Sequence, residues 1–89
     1  MAQPDEREIR RFRKVLKDCT LWLSTYFSDE AALSTDVARL VHSLRRYLVH
    51  CRRKLRENDC GLEKLYRRRR KIELVVYELW KRQQGQWRE

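Results

Sequence analysis

The sequence predicts an all-α fold of three helices in one domain, doubled into a symmetric homodimeric bundle. Three observations predict it. Apolar residues recur at steps of three and four along three separate stretches, the spacing that collects them on one helical face. The 89 residues hold two Gly and one Pro, which leaves few places to turn and favours long regular elements. One of the stretches is also apolar over more of its circumference than a single intramolecular contact covers. A two-fold homodimer is the commonest way to close such a patch.

The first helix is expected over about residues 5–27. Pro4 followed by Asp5, Glu6 and Glu8 opens it, with acids in the first turn where the helix dipole favours them. Ile9, Phe12, Leu16, Cys19, Leu23 and Phe27 form one face, widened by Val15, Trp22 and Tyr26. The polar side mixes Arg7, Arg10, Arg11, Arg13, Lys14 and Lys17 with acids. Residues 1–30 carry six basic and six acidic groups, so this segment reads as neutral scaffolding.

Residues 28–35 are the first connection, where Ser28 can cap a short turn and Ser34 or Thr35 the next helix. The second helix, about 36–57, buries Val37, Leu40, Val41, Leu44, Leu48, Cys51 and Leu55. Its opposite side carries Arg39, Arg46 and Arg53, seven residues apart and so near two full turns, flanked by His42 and His50. At ~1.5 Å of rise per residue these arginines form a ridge of roughly 21 Å. Between Val37 and Arg56 there is no Asp or Glu. A face that is merely soluble usually interleaves both signs, and like charges on one helix face repel.

Asn58 and Gly61 end the second helix, and Asp59 is placed to cap a third over about residues 62–82. The β-branched and aromatic second half of this stretch would suit a strand, but a lone strand has nothing to pair with. Leu62, Tyr66, Ile72, Val76 and Trp80 keep a helical face; Leu74, Val75 and Leu79 lie off it and are assigned to the dimer interface. Within Arg67–Lys71, periodicity sends Arg69 toward the apolar face and Arg68 and Lys71 to solvent, where they join the candidate binding residues. Residues 83–89 form a polar tail in which Trp87 is free to fold back.

Charge narrows the function. With 22 Lys+Arg against 13 Asp+Glu the net charge is +9, a field that attracts phosphate backbones or anionic membranes. Residues 36–57 carry seven basic against two acidic groups and residues 58–89 nine against five, so the potential belongs to the second and third helices. No run approaches the ~20 apolar residues that span a bilayer. No helix pairs a basic face with an exposed apolar edge clearly enough to favour peripheral attachment, so no membrane partner is expected. The opening residues lack the apolar core of a secretory leader, and the three cysteines (Cys19, Cys51, Cys60) fit no disulfide framework. The expected location is cytoplasmic, with nuclear import open through the Arg67–Lys71 run. The histidines stand apart from the loop hydroxyls, no Gly-rich phosphate cradle occurs, and no metal-ligand spacing joins His50, Cys51 and Cys60. No catalytic residue, metal, cofactor or small-molecule substrate is therefore expected.

The ridge holds arginines without Asn or Gln placed for base edges, which equips it for phosphate and 2′-OH contacts more than for sequence readout. Single-strand binders present exposed aromatic platforms, whereas Phe12, Trp22, Phe27, Tyr47 and Tyr66 fall at core positions here. A-form RNA is recognised by shape across its shallow minor groove. The expected ligand is thus double-stranded RNA, bound without regard to sequence by Arg39, His42, Arg46, His50, Arg53, Arg68 and Lys71. Two ridges of a dimer would span neighbouring grooves of one duplex. The rival expectation is a helical protein–protein interaction module whose apolar third helix grips a partner.

The Asp18-Cys19-Thr20-Leu21-Trp22 run, with a basic second helix after it, is similar to an Asp-Cys-x-Leu-Trp run in the first helix of the RNA-binding domain of the influenza non-structural protein. In size, charge and helical order the chain also resembles the small nodaviral suppressors of RNA silencing. It departs from the influenza domain in its arginine-rich third helix. The resemblance implies a dimer laying second-helix arginines along both strands, shielding the duplex from dicing or from antiviral sensing.

Overall fold

The computed structural model describes residues 6–86, and the side chains of all of these except 30 and 84–86. Helix α1 (Glu6–Tyr26) is followed by a single 3-10 turn (Glu30–Ala32), α2 (Thr35–Arg56) and α3 (Leu62–Gln86), with no strand among the described residues. Each helix touches the other two, so the three stack as a triangular bundle of 50 × 20 × 18 Å. None of the described helices is long and apolar enough to cross a membrane.

The core follows the apolar spacing of the first two helices. Phe12, Leu16, Cys19 and Leu23 of α1 face Val41, Leu44, Leu48, Cys51 and Leu55 of α2, and Phe27 closes one end. Truncating a buried leucine of this kind costs about 2–5 kcal/mol. Burial pushes the Cys19 thiol up to about 11, against a smaller lowering by Arg52. Burial raises Cys51 too, so both thiols stay protonated near neutral pH and act as small core hydrophobes.

Local chemistry sets the helix ends. Glu6 and Glu8 stand in the first turn of α1. Pro4, Asp5 and Trp87 lie outside the described residues. Ser34 caps α2, its hydroxyl accepting from Val37 N–H at 3.4 Å. At the other end Asn58 takes a left-handed φ of 59°, tolerable for its short polar side chain. Asn58 N–H then reaches Leu55 C=O (3.2 Å) and Asp59 N–H reaches Lys54 C=O (2.9 Å), the paired bonds of a Schellman ending.

The third helix departs from expectation in four places. Gly61 opens it in place of Asp59, its carbonyl accepting from Leu65 N–H at 2.9 Å. The core face is Leu65, Arg68, Ile72 and Leu79, with Val75 and Val76 beside it, while Tyr66 and Trp80 are exposed. Leu79 is 0% exposed and belongs to this chain's own core, so it is withdrawn from the dimer interface. Arg68, expected in solvent, is buried on the core side, whereas Arg69 is half-buried and pairs with Glu73 at 3.0 Å. Leu74 is exposed on the back of the helix, about 180° from Leu65 at 100° per residue. Val75 and Leu79, one turn apart, lie on the core side, and Leu74 points away from both.

Candidate nucleic-acid interface

Two rows of arginine run along α2 at the same spacing and meet different fates. Arg45 and Arg52 flank the buried Leu44, Leu48 and Cys51 on the side nearest α1. Arg45 donates to Phe27 C=O at 3.3 Å, placing a cation at the C-terminal end of α1, whose last turn has no basic residue of its own. Arg52 donates to Thr20 Oγ1 and to Leu16 C=O at 3.4 Å. Sequence reasoning passed over both. Their signal was position: each sits beside the buried row, close enough to reach the neighbouring backbone.

The second row is Arg39, Arg46 and Arg53, exposed as expected on the outward side of α2. Among the described residues no carboxylate pairs with Arg39 or Arg46. Arg53 meets Glu57 at 3.7 Å, an exposed pair worth little in water. Arg53 Nη2 also lies 3.2 Å from His50 Nδ1. A guanidinium has no lone pair to offer, so Nδ1 accepts and the ring proton sits on Nε2. The His50 ring stacks on Tyr47 at 5.8 Å, and Lys71 Nζ stands 4.4 Å above the same tyrosine.

These side chains share one open groove of about 670 Å³ along α2 and the near edge of α3. It is lined by Arg39, His42, Ser43, Arg46, Tyr47, Val49, His50 and Arg53 from α2, with Lys71 and Val75 from α3. Six of the seven expected binding residues therefore converge. Arg68 does not: its Nη1 donates to Asp59 C=O at 2.7 Å and its Nη2 meets the Asp59 carboxylate at 3.6 Å. Five consecutive residues at 100° per step fan around a helix, so Arg67–Lys71 forms no single patch.

Tyr47, expected in the core, is half-buried at the groove wall. Burial raises its pKa, with a further rise from Cys51 and a lowering by Arg68. Elsewhere several basic side chains meet their own chain's acids: Arg10 with Glu6, Arg67 with Glu63, Arg69 with Glu73 and Arg82 with Glu78. Among the described residues no three His, Cys, Asp or Glu side chains are grouped to hold a metal ion.

A different surface lies between α1 and α3. Val15, Cys19, Trp22, Ile72, Val76, Tyr77 and Trp80 line an apolar groove of about 530 Å³, with Asp18 and Glu73 at its rim. Tyr77 and Trp80 are 58% and 48% exposed and stack at 6.4 Å.

No family model, curated protein or solved structure matches this chain.

Proposed function

We propose that this chain binds double-stranded RNA through the outward side of α2, by shape and charge and without reading sequence. The observation that carries the reading is the contrast between helices. Arg67, Arg69 and Arg82 of α3 each pair with a carboxylate one turn away, whereas Arg39 and Arg46 face solvent beside the His50–Tyr47–Lys71 stack. Cations held together without counter-charge repel one another, and a phosphate backbone relieves that repulsion. The groove's one aromatic has a lysine over its face, so it offers no free platform for an unpaired base. In this reading the protein is a cytoplasmic binder, not a catalyst, and works without cofactor or small-molecule substrate. Coating a duplex would withhold it from dicing or sensing, the role of the viral suppressors the chain resembles.

The reading includes a second copy of the chain, seated on the apolar groove between α1 and α3. Exposed Tyr77 and Trp80 beside Trp22 and Val76 support that site. A protein partner of another kind on the same groove is the rival outcome.

Titration with blunt RNA duplexes, DNA duplexes and single strands, each at two salt concentrations, tests the ligand. Duplex RNA affinity that ignores sequence and falls steeply with salt is expected. Changing Arg39, Arg46 and Arg53 together to alanine should weaken binding to every duplex and lower the salt slope by about three, one per phosphate contact. Undiminished binding by that triple variant in a gel shift would remove the ridge from the interface.

A further inference from the structure

On the other flank of α2 lies a second basic groove, of about 370 Å³, lined by Arg13, Leu16, Lys17, Val49, Arg52, Leu55 and Arg56. It has four cations and no carboxylate in its lining. Arg52 is tied to Thr20 and Leu16 and forms its floor. Arg13, Lys17 and Arg56 are exposed, and among the described residues none of them pairs with an acid. Val49 is 59% exposed and lines both grooves, so the two are contiguous across the back of α2.

We propose that this groove is a second phosphate track, so that α2 lies in the minor groove of an RNA duplex with one strand on each flank. The inference rests on the duplex-RNA reading above and gives it a geometry. A helix is about 10–12 Å across with its side chains, and the A-form minor groove is wide and shallow with a phosphate strand along each edge. A single arginine row meets one strand only. Cations on both flanks meet two strands at once, and only a duplex supplies both. Duplex selectivity then comes from Arg13 and Lys17 on the α1 flank acting across the helix from Lys71 on the α3 flank, with Arg46, Arg53 and Arg56 along the back of α2 between them. The first helix contributes Arg13 and Lys17 on the side that abuts α2.

The test compares two double variants of equal charge change in the full chain: Arg13→Gln with Lys17→Gln, and Arg7→Gln with Lys14→Gln. All four residues are exposed on α1, but Arg7 and Lys14 line neither groove. Binding to a blunt RNA duplex and to its separated strand is measured across a salt series. The groove variant should lose about two from the duplex salt slope and most of its preference for duplex over single strand, while the control stays near the parent. Equal losses in the two variants would mean diffuse attraction and overturn the second track. So would a parent-like groove variant, leaving the ridge reading intact if the ridge triple variant still loses binding. A parent chain that binds no duplex at all overturns both readings.

Discussion

Arg68 sits in the middle of the core face of α3, between Leu65 and Ile72, at 9% exposure. Its charge is tolerated there because the Asp59 carbonyl and carboxylate both receive it. Hydrogen bonds to a charged group contribute about 1.5–3 kcal/mol net, and Arg68→Ala removes them along with the buried stem. We expect a loss of about 2 kcal/mol in urea unfolding. Arg68→Met should recover most of it, since an apolar residue of similar volume escapes the desolvation cost. Duplex binding by the Met variant should keep the parent salt slope. A slope reduced by a full unit would show Arg68 reaching phosphate and would contradict its burial.

At the scale of the helices, Asp59 clasps α2 to α3. Its carboxylate meets Lys54 of α2 at 3.8 Å and both Lys64 and Arg68 of α3. The Lys64 hydrogen bond chiefly, with the neighbouring charges, holds its pKa below the ordinary 3.8. A carboxyl lowered by folding stabilises the fold above its unfolded value and loses that contribution as pH falls through its folded value. Stability should therefore drop on acidification below about 3.8, and Asp59→Asn should flatten that part of the profile. An acid limb of the same shape in the Asn variant, followed by circular dichroism, would assign it to other carboxylates. The same junction shows what the sequence could tell. The first two helices were legible because Phe12 to Leu23 and Val37 to Leu55 are unbroken apolar stripes, and Ser34 and Asn58 are strong end signals. The third was legible as a helix but not in its orientation. An arginine interrupts its core stripe at position 68, so the period slides onto Tyr66 and Trp80, which are exposed. The ridge was legible because acid-free spacing is a property of the chain itself. The second basic groove was not, because its members come from two helices and meet only on folding.

At the scale of the whole molecule, the apolar groove between α1 and α3 faces away from the outward side of α2, because the three helices stack as a triangle. A pair formed on that groove carries its two basic faces on opposite sides. Such a pair is expected to hold two duplexes, one on each face, whereas a pair that brought its ridges to one side would share one. The surface also sets the strength of pairing. A fully covered aromatic buries about 150–250 Å², and Trp22, Tyr77 and Trp80 are already partly covered, so the patch offers a few hundred Å² per partner. That falls short of the about 800 Å² per partner of a standard stable interface, which predicts a weak, concentration-dependent dimer. Sedimentation across a concentration series should show the monomer giving way to the dimer, with Tyr77→Glu holding it monomeric at every concentration. Leu74→Glu, on the back of α3, should leave the equilibrium unchanged. Bound RNA should approach one duplex per chain when the dimer is loaded, and Tyr77→Glu should keep that ratio because each basic face is complete within one copy. A parent chain that stays monomeric throughout would leave the groove to a different protein, and half as much RNA per chain would return both basic faces to a shared duplex.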